Sequence, residues 1–91
     1  MIFEWDPNKS RLNEIKHGVS FAEAATVFAD RLELTMYHPL HSHEEDRFIS
    51  LGESYNRRLL VVVYCQREER IRIISARAAT RRERTAYEEG L

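Results

Sequence analysis

Apolar positions along the chain change their spacing from helical to alternating and back, and this pattern divides it into elements. Phe21, Ala24, Ala25 and Phe28 recur at i, i+3, i+4 and i+7, which marks one face of a helix. Ser20 and Glu23 carry the Ser-x-x-Glu spacing of a capping box at its start. An earlier helix is bracketed by Asp6-Pro7, an N-cap with proline at the first helical position, and by Gly18, which suits a left-handed end. This helix runs to about His17, with Leu12 and Ile15 as its apolar face and Val19 packing back on its end. Phe3 and Trp5 suggest a short edge strand ahead of it.

From Arg31 onward the period is two. Leu32, Leu34 and Met36 alternate with Arg31, Glu33 and Thr35, as in a half-buried strand. A polar loop from His38 to Asp46 holds three of the four histidines. Phe48 to Leu51 reads as the next strand, and Gly52 to Asn56 as a hairpin connection. Leu59 to Val63 is apolar on both faces, as a central strand requires. Gln66 to Glu69 turns the chain into a last strand marked by Ile71, Ile73 and Ile74 and ending near Arg77. Thr80 and Glu83 form a second capping box, opening a helix to about Glu89 that Gly90 ends. Only Ala86 and Tyr87 are apolar there, so this helix packs weakly or docks a partner. The expected fold class is α+β: two N-terminal helices, a four-stranded antiparallel sheet with a short N-terminal edge strand as an optional addition, and a C-terminal helix. The helices are expected against one face of the sheet.

With 91 residues the chain reads as a single domain, 1–91, with a modest core. One cysteine, Cys65, makes no internal disulfide and suits a reducing cytoplasm. It falls in an apolar strand and reads as a small core residue. No signal peptide opens the sequence, and the longest apolar run, Leu59 to Cys65, is too short for a bilayer, so no membrane role is expected. The formal net charge of −1 hides an asymmetry: residues 1–46 carry 4 basic and 9 acidic side chains, residues 47–91 carry 10 and 6. Twelve of the 14 basic residues are arginine, whose planar fork of donors matches phosphate.

Several stretches resemble the BrnT toxin family. Phe3-Glu4-Trp5-Asp6, then Lys16-His17-Gly18-Val19-Ser20-Phe21 with Glu23-Ala24, are similar to its opening. His41-Ser42, Glu44-Glu45 and Arg47 are similar to its loop. Arg58 to Val63 and Ile71-Arg72-Ile73-Ile74-Ser75-Ala76-Arg77 resemble its central strands, and Glu83-Arg84 with Tyr87-Glu88 its terminal helix. Asp30-Arg31 and Tyr37-His38 depart from the pattern, which has Asp-Pro at the first and often acidic residues at the second. The resemblance implies a RelE-like fold and an endoribonuclease toxin that cleaves RNA and inhibits translation. It also implies a BrnA-like antitoxin that neutralises the toxin and represses the operon, so operator DNA is met only through the antitoxin. A dimer or a toxin–antitoxin heterotetramer is the expected assembly. The alternative is a non-catalytic interaction module or transcriptional co-repressor in such a complex.

Metal-free RNA cleavage needs a base for the 2′-OH, fixed cations for the phosphoryl oxygens and an acid for the departing 5′ oxygen. Arg77 shares strand parity with Ile71, Ile73 and Ser75, an inward-looking set, so it either binds the scissile phosphate or pairs internally with a glutamate. Arg58 and Arg47 start neighbouring strands and are expected to meet Arg77 at one rim, unless they are merely solvated strand ends. His17 is the candidate for proton transfer, since histidine titrates near neutrality; the plainer reading is a charge at a helix C-terminus. His41 and Glu45 in the polar loop are the alternative acid–base pair. Lys16, His41 and Arg72 are the candidate substrate-binding residues. His38, His41 and His43 with the acids that follow do not match a zinc-ligand spacing, so neither metal nor cofactor is expected.

Overall fold

The computed structural model describes residues 1–38 and 46–90. In chain order these form β1 (Ile2–Glu4), α1 (Pro7–His17), α2 (Phe21–Ala25) running into a 3-10 turn (Thr26–Ala29), β2 (Leu34–Tyr37), β3 (Arg47–Glu53), β4 (Leu59–Arg67), β5 (Arg70–Ala78) and α3 (Arg81–Glu89). The fold is α+β. Its sheet has five strands in the order β1-β5-β4-β3-β2, where four antiparallel strands with an optional edge strand were expected. The fifth, β1, pairs in parallel with the start of β5, from Ile2 opposite Arg70 to Glu4 opposite Arg72.

The caps follow the sequence. Asp6 accepts from the amides of Asn8 and Lys9, and Gly18 ends α1 at φ 71. Thr80 and Glu83 form a complete capping box on α3. On α2 only half of the expected box forms: the Ser20 hydroxyl accepts from the Glu23 amide, while the Glu23 carboxylate is drawn away to Arg58 and Ser54.

One face of the sheet carries α1, α2 and the main core. Phe21, Ala24 and Val27 pack on Leu60, Val62, Tyr64, Ile71 and Ile73. The Phe28 ring meets Tyr64 edge-on at 4.9 Å. The opposite face has a smaller cluster of Leu51, Leu59 and Val61, which Leu34, Ile49, Ala79 and Tyr87 cover. Tyr87 belongs to α3, so that helix lies on the far face and the helices do not share one side. The Tyr87 hydroxyl donates to Asp30 Oδ2 at 2.6 Å and ties α3 to the turn after the helical layer.

Two apolar expectations fail locally. Leu12 and Ile15 do not form the packed face of α1; they are 65% and 80% exposed. The buried residue of α1 is Asn13, whose amide donates to Val19 O and Ala76 O and accepts from the Ala76 amide. A polar bracket to β5 therefore seats α1. Leu32 is 70% exposed in the turn before β2, where Asp30 Oδ1 accepts from its amide.

Candidate active site

Strand parity along β5 is broken once. Ile73 lies opposite Tyr64, and the next pair is Ser75 with Val63, so Ile74 is an extra, unpaired residue. Beyond this bulge the faces exchange. Ile71, Ile73 and Ala76 enter the main core, whereas Ser75 and Arg77 pair with Val63 and Val61 on the other face. Arg77 therefore does not share the inward face of Ile71 and Ile73, as simple alternation predicts. It stands on the open half of the far face, beside the part that α3 covers.

A pocket of about 360 Å³ opens there. Ile49, Val61 and Val63 form its floor, and His17, His38, Ser75 and Arg77 bring its polar groups. Gly18 ends α1 just after His17, which leaves the imidazole at the end of the helix and over the sheet margin. His38 continues β2 by one ladder bond, its amide donating to Arg47 O at 2.8 Å. This residue carries Leu34–Met36–His38 parity onto the open face. Read from the sequence as the start of a loop, His38 was not expected beside this pocket; the alternation from Leu34 was the available signal.

Arg77 donates from Nη1 and Nη2 to the two Glu83 oxygens at 2.8 and 2.9 Å. This arginine beside it, with lesser help from the Thr80 amide, holds the Glu83 carboxyl down at about 2 against burial. The same pair raises the Arg77 pKa. Internal pairing with a glutamate, one of the two readings of Arg77, is thus present, and the guanidinium still lines the pocket.

The expected meeting of Arg47, Arg58 and Arg77 at one rim does not occur. Arg58 lies toward the helical layer. Its Nε and Nη2 donate to Glu23 at 2.9 and 2.5 Å, and Nη2 also donates to Gly18 O at 2.9 Å. Hydrogen bonding from Arg58 is the main reason the Glu23 pKa falls to about 2 although the residue is buried. Arg58 is occupied in joining α1, α2 and the start of β4. Arg47 shares the open face with Arg77 but pairs with Cys65, four residues along β4 from Val61, or about 13 Å. Its Nε is buried without a hydrogen-bond partner among the described residues. Arg72 lies across Cys65 from Arg47 on the same face and makes a 3.4 Å ion pair with Glu4. Lys16 is exposed on α1 and lines a second groove that shares His17 with the first. His41 and Glu45 lie outside the described residues, as do His43 and Glu44 of the zinc question. Among the described residues no cluster of histidine, cysteine and acidic side chains has the makings of a metal site. No helix there is long and apolar enough to cross a membrane.

A small α+β domain with two imidazoles and an arginine around an open pocket on its sheet has the groups for acid–base chemistry on a phosphodiester. The family model of the ribonuclease toxin BrnT of type II toxin–antitoxin systems matches residues 5–83, and the chain belongs to that family. Its fold is similar to the crystal structure of the Brucella abortus ribonuclease toxin, BrnT. The TM-score is 0.65 at 24% identity, over 89% of this chain and 100% of that one. No curated protein sequence matches the chain. Membership in a type II toxin–antitoxin family implies an antitoxin partner.

Proposed function

We propose that the chain is a metal-independent endoribonuclease toxin whose reaction centre is the pocket of His17, His38 and Arg77. The observation that carries this reading is the gathering of these three side chains over one apolar floor in a member of a ribonuclease toxin family. One imidazole takes the proton of a ribose 2′-OH, and its oxygen attacks the adjacent phosphorus. The bond from phosphorus to the 5′ oxygen breaks, and the other imidazole protonates the departing oxygen. The products are a 2′,3′-cyclic phosphate and a 5′-hydroxyl end. Arg77 stabilises the charge that builds on the phosphoryl oxygens. Its contacts with Glu83 and Ala78 O use only the terminal nitrogens, which leaves the Nε–H as the donor for a phosphate. Lys16 in the adjoining groove, and Arg72 and Arg47 farther along the same sheet face, are further cations for the RNA chain, while His41 and Glu45 are the alternative acid–base pair.

Cleavage of RNA inhibits translation, in the cytoplasm, and a BrnA-like antitoxin neutralises the toxin and represses the operon, in an assembly that is a dimer or a toxin–antitoxin heterotetramer. The sheet with flanking helices fits the RelE-like description. The deciding experiment is cleavage of total RNA by the purified chain in excess chelator, with Arg77→Ala, His17→Ala and His38→Ala in parallel. Wild-type cleavage lost in all three folded variants supports the reading. Activity that vanishes in chelator and returns with zinc overturns the metal-free chemistry. The occupied terminal fork of Arg77 favours the second reading, a non-catalytic interaction module; folded protein that neither cuts RNA nor arrests growth would establish it.

A further inference from the structure

The edge pairing beside β5 ends early. β1 stops at Glu4, opposite Arg72, so from Ile73 onward α1 lies along the outer margin of β5 instead of a strand. The bulge residue Ile74 falls in this stretch, half-exposed and without a ladder partner. Between it and α1 runs a groove of about 250 Å³ lined by Lys9, Leu12, Lys16 and Ile74. His17 and Ser75 line both this groove and the pocket, so the two adjoin.

The groove has a definite chemistry. Lys9 and Lys16 stand on one side of α1, two turns or about 10 Å apart along the axis. Glu14, the helix's single carboxylate, is turned about 140° from Lys9 and about 200° from Lys16 round the axis. No acidic residue lines the groove. Leu12, 65% exposed, and Ile74 supply an apolar wall between the cations. Cations spaced along an apolar wall, leading away from a phosphodiester pocket, suit a single-stranded polyanion with flat apolar faces. They do not suit an acidic peptide, which would leave the wall against water-seeking side chains.

We propose that the α1–β5 groove is a subsite for single-stranded RNA flanking the scissile phosphate, its base against Leu12 and Ile74 and its phosphates on Lys9 and Lys16. The proposal rests on the ribonuclease reading for what happens next door, but it concerns binding and is tested without cleavage. The probe is a fluorescent single-stranded RNA of mixed sequence, made uncleavable by 2′-O-methyl substitution, and the readout is its affinity for the full chain across a salt series. Each phosphate neutralised contributes about 0.7 to the slope of log K against log salt on a single strand, so Lys9→Gln with Lys16→Gln lowers the slope by about 1.4. Arg11→Gln is the matched control: it removes one charge from the same helix, about 200° round from Lys9, and leaves the slope as it was. Leu12→Ser lowers affinity several-fold without altering the slope. An unchanged slope and affinity in the double lysine variant overturn the subsite, even if the wild-type chain cuts RNA. Binding that shows these losses in a chain that cuts no RNA upholds the groove and refutes the ribonuclease reading alone. Loss of antitoxin binding with RNA binding intact assigns the groove to the protein partner and overturns the proposal.

Discussion

Arg77 presents both terminal nitrogens to the Glu83 carboxylate, at 2.8 and 2.9 Å, so one side chain both lines the pocket and joins β5 to α3. Its two roles separate by magnitude. Arg77→Ala is expected to reduce RNA cleavage by about 10²–10³-fold, through lost charge stabilisation in the transition state of about 3–4 kcal/mol. The pair is partly exposed, with the arginine side chain 43% accessible, so the cost in stability is about 1 kcal/mol. Arg77→Lys restores the charge but not the planar fork and recovers activity only in part. Cleavage assays beside thermal unfolding check both. A variant that unfolds at room temperature would make Arg77 a structural residue.

Arg58 gives the opposite profile. Arg58→Ala takes from the buried Glu23 carboxylate its charged partner and leaves it the side-chain hydrogen bonds of Ser54 and Asn56. Removing one partner of a buried pair costs about 3–5 kcal/mol, and the half-exposed arginine lowers this to about 2–3 kcal/mol. Glu23→Gln in the same chain should recover part of the loss, and a double-mutant cycle in denaturant measures it. Equal stability of Arg58→Ala and wild type would contradict the assignment.

Asn13 holds α1, and with it His17, through three hydrogen bonds to Val19 and Ala76. Asn13→Leu is of similar size but leaves the Ala76 amide and both carbonyls without this partner. It is expected to destabilise the fold by about 2–4 kcal/mol. Leu12→Ser, one position away and exposed, should change stability by less than about 0.5 kcal/mol. The opposite ranking in chemical denaturation would restore an apolar seat for α1.

Gly52 leaves no space for a side chain. A β-carbon there would come within 2.8 Å of Val27 Cγ1 and 3.3 Å of Asp30 Oδ2. Gly52→Ala pushes β3 away from the 3-10 turn and disturbs the Asp30 carboxylate. Burial alone would raise that carboxyl; hydrogen bonds from the Glu53 amide, the Tyr87 hydroxyl and the Leu32 amide outweigh it and hold its pKa below the usual value. The expected cost is about 1–3 kcal/mol, read as a lower unfolding midpoint. An unshifted midpoint would mean that this contact relaxes freely.

Stability should fall in acid. Glu23 and Glu83 both have folded pKa values of about 2, below the usual 4.5. A depressed folded pKa means that the unfolded chain takes up protons first. The contribution is therefore complete above the unfolded value and is lost as pH falls from about 4.5 through about 2. Glu23→Gln should flatten this part of the pH–stability curve. A wild-type curve that is flat from pH 5 to 2 would show that neither pair matters to folding.

The sequence by itself determined whatever depends on near neighbours. The caps at Asp6, Gly18 and Thr80, the helical face of Phe21 and Ala24, and the apolar run of β4 were all legible, because each needs only residues within a few positions. The place of His17 at the end of α1 was legible for the same reason: a helix-ending glycine follows it.

Tertiary structure decided the rest. One unpaired residue, Ile74, reverses every side chain after it, and period-two reading carries no signal for such an insertion. That reversal takes Arg77 out of the main core face and into the pocket. Arg58 was drawn away from Arg77 by Glu23, 35 residues away in the chain, and Asn13 displaced Leu12 and Ile15 by bonding to Ala76, 63 residues on. Polar partners at such separations obey no local period. Their bonds form only once burial has made an unpaired carboxylate or amide costly, and the assembled fold alone sets that burial.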